Sequence, residues 1–222
     1  MSKTSPKKVL FEQFAQMAKA FGHAHRLELV EALAQGERGV EALAKAVGLS
    51  VANASQHLQH LRQAGLVTSR RDGVRVIYRL TGDDVVDLFN ALQRSAERHV
   101  AEVERVIHGY YAARDSLEPM SRNELLSRLK EGTVTLLDVR PPEEFDAGHL
   151  PGAVNIPLRD LEEHLAALPE EFEVVAYCRG TWCVLSFEAV AKLRRQGRAA
   201  RRLEDGYPEW KAAGLPVEGP TH

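Results

Sequence analysis

The chain has 222 residues, 44% hydrophobic and 27% charged, with a formal net charge of −2 and two cysteines. This ordinary composition suits one large or two modest water-soluble domains. It excludes a membrane helix, which needs roughly 20 apolar residues in a row, and it excludes a disulfide framework or, without histidine partners, a structural zinc site. The lysine-containing start lacks a signal peptide's apolar stretch, so the expected setting is the cytoplasm, with free thiols and no membrane partner. Charge is uneven. Residues 1–115 carry 16 Lys+Arg against 13 Asp+Glu, residues 116–222 carry 13 against 18, and the stretch Arg38 to Leu80 holds seven basic and two acidic residues. Such a local positive field points to an anionic partner for that part alone.

The first half reads as helices. Phe11, Phe14, Ala15 and Ala18 share one face, and Leu27, Val30 and Leu33 continue the pattern to a stop at Gly36. "GVEALAKAVGLSVANASQHLQHLRQAGLV" predicts a short helix, a break at Gly48 and a second helix ended by Gly65. Ser50 stands where an N-cap belongs, its oxygen accepting a first-turn N–H. Leu58 and Leu61 form the inward face, with Asn53, Gln56 and His60 largely elsewhere. "VTSRRDGVRVIYRL" alternates on both sides of Asp72-Gly73, a strong hairpin signal. Helix, turn, helix and basic hairpin is the order of a winged helix-turn-helix.

"AFGHAHRLELVEAL", "LAKAVGLSVANASQHLQHLRQAGLV" and the Arg-rich hairpin resemble the ArsR/SmtB family of bacterial repressors, over roughly residues 9–115. The resemblance implies a homodimer on double-stranded operator DNA, with the second helix of the motif in the major groove and the wing near the minor groove. It makes Ser50, Asn53 and Gln56 base or phosphate contacts, and gives Arg70, Arg71 and Arg75 to phosphates or the minor groove. Many such repressors sense metals. Here the third-helix cysteine pair is missing. Asp84, Asp87, His99 and Glu102 only partly imitate the family's last-helix site, since Glu102 stands for its second histidine. The expectation is no metal.

From Asp83 to about Arg114 a single long helix is predicted, carrying a near-heptad stripe of Val85, Leu88, Phe89, Leu92, Ala96, Val103, Val106, Ile107 and Tyr110. At about 1.5 Å per residue it would outrun a small domain, so the simplest partner is the same helix of a second chain. The first domain is therefore residues 1–115.

"RDSLEPMSRNELL" marks the boundary, with Ser121 and Glu124 spaced as a capping box. A short link near Leu117 to Met120 predicts that the domains touch. In the second domain, residues 119–222, "TVTLLDV" and "EFEVVAYC" read as strands buried on both faces of a parallel sheet, with helical stretches at 160–168 and 184–196. Both cysteines lie in "AYCRGTWCVLSFEAV". Cys178 falls at the carboxyl end of a strand, followed by a six-residue loop and a helix opening at Val184. Loop N–H groups and the helix N-terminus are expected to form a cradle for negative charge, lowering the Cys178 pKa, with Arg179 adding to the field and Gly180 permitting the tight path.

This domain resembles a rhodanese, a single sulfurtransferase domain, at three separated places: "LLDVRPPEEFDAGHLPGAVNIPL", the loop "CRGTWC", and "LEDGYPEW", where Asp205 replaces a common glycine. The resemblance implies a three-layer α/β fold and a catalytic Cys178. Its thiolate takes the outer sulfur of a sulfane donor such as thiosulfate or a persulfide, and the product is held by N–H groups of the loop Arg179, Gly180, Thr181, Trp182, Cys183 and Val184. No cofactor is implied. Asp138, Arg140, Glu144 and His149 look structural. Phosphatases and arsenate reductases of the same fold use a loop one residue longer that ends in Arg, so the six-residue loop favours sulfur. Cys183 is either a small filler or a resolving thiol.

The fold class is thus α+β followed by α/β: a winged helix-turn-helix with a long dimerisation helix, then a rhodanese-like domain with a parallel sheet. Three functions stay open: a repressor responding to sulfur at Cys178, a self-regulated sulfurtransferase without coupling between domains, or a degenerate binding loop.

Overall fold

Helical spacing of apolar residues builds the first unit, residues 1–89. The computed structural model describes residues 5–111 and 119–219. It places α1 at Pro6–Phe21, α2 at Ala24–Ala34, a short β1 at Arg38–Gly39, α3 at Val40–Ala46 and α4 at Val51–Gln63. A hairpin of β2 (Val67–Asp72) and β3 (Arg75–Leu80) follows, and the sheet order is β1-β3-β2. Asp72 and Arg75 face each other across the turn, where Gly73 takes the left-handed φ of +60° that such a turn needs. Leu29, Val30, Leu33, Leu43, Leu58 and Leu61 fill the core beneath Tyr78 and Val85. This is a winged helix-turn-helix. On α1 only Ala20 and Phe21 are buried, while Leu10, Phe11 and Phe14 are exposed.

Next, α5 (Asp84–His99) starts in the first unit and ends in the second. The predicted unbroken helix is corrected here. At Val100 the backbone turns extended, with φ −113° and ψ 102°, and then α6 (Ala101–Val106) and a π-helical turn (Ile107–Tyr111) resume. Neither Gly nor Pro causes the break; Val100 is β-branched and takes up the extended region such residues favour. The predicted end near Arg114 and the link residue Leu117 lie outside the described residues.

The second unit, residues 90–222, continues with α7 (Arg122–Glu131), β4 (Val134–Asp138), α8 (Pro142–Ala147), β5 (Val154–Asn155), β6 (Glu173–Tyr177), α9 (Val184–Arg195), β7 (Ala200–Arg202) and α10 (Tyr207–Ala212). The strands run parallel in the order β5-β4-β6-β7. Successive residues of a strand face opposite sides. Leu137, Val174 and Ala176 therefore pack with Ala189, Val190 and Leu193 of α9 on one face, and Leu136, Val175 and Tyr177 with Leu125, Tyr207 and Trp210 on the other. A sheet covered on both faces explains why these strands read as continuous apolar runs. Ser121 caps α7, its hydroxyl accepting from the Glu124 N–H at 3.3 Å, but the Glu124 carboxylate bonds Arg201 instead of closing a capping box. The helix expected over 160–168 reduces to turns and one 3-10 turn at Leu165–Ala167. Pro169 ends the segment before α-helical propagation can offset nucleation.

Candidate functional site: a paired-thiol loop and a basic helical face

Cys178 follows β6 directly and is 1% exposed; Cys183 is the N-cap of α9 and half-buried. Alternation along β6 sends Cys178 to the same side as Val174 and Ala176, under α9, and Cys183 packs against that same cluster. The Cys178 thiol lies 3.5 Å from the Cys183 carbonyl oxygen and 3.9 Å from that of Gly180. Between them the Cys183 N–H donates to Gly180 O at 3.1 Å, closing the loop on itself.

That closure changes the expected cradle. The Cys183 N–H is used within the loop. The Ser186 hydroxyl donates to the Cys183 carbonyl oxygen at 3.2 Å, the same oxygen that faces the Cys178 thiol. Ser186 was missed in the sequence, although a lone serine on the buried face of an apolar helix is a readable signal; it is 3% exposed. The expected lowering of the Cys178 pKa is also corrected. Burial, followed by the neighbouring Cys183, pushes Cys178 well above the ordinary thiol range, while a hydrogen bond from Cys178 pulls Cys183 below it.

The Arg179 charge favours the Cys183 thiolate, as expected of the loop's field. Its guanidinium grips the buried Glu144 carboxylate through bonds of 2.7, 2.9 and 3.1 Å, pinning the loop to α8. Thr181 and Val184 are half-buried in the loop wall. The third signature stretch forms the loop's floor. The Tyr207 N–H donates to Cys178 O at 3.0 Å, and a Cβ at Gly206 would fall 2.3 Å from the Gly180 nitrogen, so only glycine fits there. Asp138 and Arg140 are wholly buried and joined by bonds of 3.0 Å and less, and the Arg140 guanidinium sits 4.5 Å from the Tyr207 ring centroid. His149 stacks on Phe145 and lies 3.4 Å from Glu218. Asp205, at the departure from the family pattern, is bonded by Arg122 at 2.8 Å. Trp182 forms the rim: its indole N–H donates to Glu97 at 2.5 Å, and its carbonyl accepts from the Tyr111 hydroxyl at 2.8 Å.

In the first unit, the Ser50 hydroxyl accepts from the Asn53 N–H at 3.3 Å, so Ser50 caps α4 in addition to any outside contact. Asn53 and Gln56 are exposed on α4, and Arg71 and Arg75 are exposed on the wing. Arg70 is exposed too and pairs with Glu37, with Asp72 at 3.8 Å. A cluster not foreseen in the sequence lies behind α4. The rings of His23 and His57 are 4.4 Å apart and those of His25 and His57 5.8 Å. His57 Nδ1 is buried without a hydrogen-bond partner among the described residues. Among those residues, no group of three or more His, Cys, Asp or Glu is placed to hold a metal. No helix among them is long and apolar enough to cross a membrane.

This winged helix and this Cys-loop α/β unit define a transcriptional regulator carrying a rhodanese-like domain. The chain belongs to the arsR family of bacterial regulatory proteins, whose model matches residues 24–69, and the rhodanese-like domain model matches residues 121–213. An HTH-type transcriptional regulator of Mycobacterium tuberculosis, Rv0324, is 46% identical over 216 residues, covering 96% of this chain and 93% of its own length. A sulfurtransferase of Allochromatium vinosum is 33% identical over 88 residues, 39% of this chain and 80% of that protein. A homodimeric winged helix-turn-helix domain from Mycobacterium bovis is 42% identical, with 45% of this chain and 93% of that one covered at a TM-score of 0.42.

Proposed function

We propose that this chain is a cytoplasmic homodimeric repressor of operator DNA whose Cys178 takes up sulfane sulfur as a persulfide, and that loading weakens DNA binding. The observation that carries the reading is the paired-thiol loop at the carboxyl end of β6, on the same chain as an exposed DNA-reading helix. The exposed apolar residues of α1 and of α5, among them Phe14, Leu88 and Leu92, support the dimer, as does the homodimeric relative from M. bovis. Asn53 and Gln56 read or position on bases, with Ser50 at the helix start. Arg71 and Arg75 take phosphates, and Arg70 contributes less.

The chemistry needs no resident cofactor. Sulfur uptake uses the thiolate form of Cys178. That thiolate attacks the outer sulfur of thiosulfate, the S–S bond breaks, and sulfite departs with the electron pair, leaving Cys178–S–S⁻. Ser186 and the start of α9 stabilise the charge. The A. vinosum relative supports this chemistry by its name.

The test is mass spectrometry of the Cys178 peptide after thiosulfate treatment under nitrogen, with light scattering for the assembly. Sulfur taken up by the wild type and not by Cys178→Ser, on a dimer, supports the reading. Equal labelling of both proteins, or a monomer at micromolar concentration, would overturn it.

A further inference from the structure

The loop holds a second sulfur that the uptake reaction itself does not consume. Cys178 is seated against the backbone of Cys183, 3.5 Å from its carbonyl oxygen, and both side chains belong to one buried cluster under α9. Four residues separate them in the chain, and Cys183 packs on the cluster that contains Cys178. Cys183 is the N-cap of the twelve-residue α9, and its thiol is held below the ordinary value by Cys178 first, against the cost of burial, with the Arg179 and Leu185 backbone and the Arg179 charge also favouring the thiolate. These are the surroundings of a thiol kept as thiolate.

We propose that Cys183 is the resolving thiol of the loop, converting the Cys178 persulfide into a Cys178–Cys183 disulfide and releasing hydrosulfide. This rests on the persulfide reading above and extends it. After sulfur uptake, the Cys183 proton passes to the outer sulfur, giving Cys178–S–SH and a Cys183 thiolate. The thiolate attacks the inner sulfur, Cys178 Sγ. A new S–S bond forms there while the old one breaks, and the outer sulfur leaves as HS⁻ with the bonding pair. The sulfane sulfur is reduced and the two cysteine sulfurs are oxidised, so no outside oxidant enters. A low-molecular-weight thiol added in excess reduces the disulfide and resets the loop. The lasting mark of exposure to sulfane sulfur is then a covalent loop closure rather than a bound sulfur atom. Such a closure ties the residue after β6 to the first turn of α9.

The experiment treats the full-length reduced chain with glutathione persulfide under nitrogen, quenches with iodoacetamide, and follows intact mass and released hydrosulfide. The wild type is expected to lose two hydrogens, gain no sulfur, resist alkylation at both cysteines and release one equivalent of hydrosulfide. Cys183→Ser and Cys183→Ala, two variants in case one folds poorly, are expected to keep one added sulfur on Cys178 and release none. A wild type that retains its added sulfur, with Cys183 open to alkylation, would overturn the resolving role while leaving the persulfide reading intact. Absence of both sulfur uptake and disulfide in the wild type and in the Cys183 variants would overturn the persulfide reading itself.

Discussion

The Tyr111 hydroxyl donates to the main-chain carbonyl of Trp182 at 2.8 Å, and the two rings meet edge-on with centroids 5.2 Å apart. The rim of the thiol loop is thereby attached to the helical segment that continues α5 and α6. Trp182 also reaches Glu97 on α5 itself, and on the proposed function a change in loop conformation is expected to pass along these two contacts. Tyr111→Phe removes one hydrogen bond worth about 1 kcal/mol and keeps the ring against Trp182 and Phe187. Tyr111→Ala removes both. The expected result, read by operator titration before and after thiosulfate, is a mild loss of response in Tyr111→Phe and a near-complete loss in Tyr111→Ala. Sulfur uptake should stay intact in both. An unchanged response in Tyr111→Ala would rule out this route.

On the wing, Arg71 and Arg70 are both exposed, and Arg70 pairs with Glu37. DNA affinity should fall steeply with salt. Arg71→Ala should lessen the slope of log affinity against log salt by about one unit, and Arg70→Ala by distinctly less. Fluorescence anisotropy across a salt series measures both. Equal effects of the two substitutions would mean that Glu37 releases Arg70 on DNA.

The Asp138–Arg140 pair is buried on both sides and holds the start of the loop that follows β4. Removing one partner strands a charge in the interior. Asp138→Ala should therefore destabilise the second unit by about 3–5 kcal/mol, measured by urea denaturation followed at Trp210. A loss below 1 kcal/mol would show that water reaches Arg140.

His57 gives the first unit a pH-sensitive group. Burial, then the neighbouring His23, Arg26, His25 and His60, hold its pKa below the ordinary 6.5. Glu28 is bonded to the neighbouring His25 at 2.9 Å. Because the folded state binds this proton less readily than the unfolded one, the stability His57 supplies is fully present above about 6.5 and is lost as pH falls below it. The acid limb of Glu173 is separate. Burial there acts the other way, but hydrogen bonds from Arg201 and Arg128 win and hold it below 4.5. Melting temperature followed from pH 7 to 5 should decline in the wild type and decline less in His57→Gln. Identical curves would remove His57 from the account.

Much of this was legible in the sequence, and the reasons are local. The α4 helix announces itself through Ser50, the Leu58 and Leu61 spacing and Gly65, all of which act within a few residues. The loop position of Cys178 follows from an apolar strand meeting a helix start. The errors involve partners distant in the chain or cooperative effects. The grip of Arg179 on Glu144, 35 residues earlier, leaves no local mark in the sequence. The raised Cys178 pKa is hidden from the sequence because helix position suggests a stabilised thiolate, whereas the burial and the second thiol come from packing. Val100 carries no breaking residue type, so the heptad stripe ran through it without a mark. The histidine cluster joins the α1–α2 junction to α4, which no periodicity reveals.

The most direct test of the central claim compares the affinity of reduced and thiosulfate-treated dimers for a DNA duplex selected from random sequence by the reduced protein, with Cys178→Ser as control. The account predicts that treatment weakens wild-type binding about 5- to 150-fold, the range of typical allosteric couplings, and leaves Cys178→Ser unchanged. Equal affinities for the treated and reduced wild type, with sulfur uptake confirmed by mass, would contradict it and leave two independent activities on one chain.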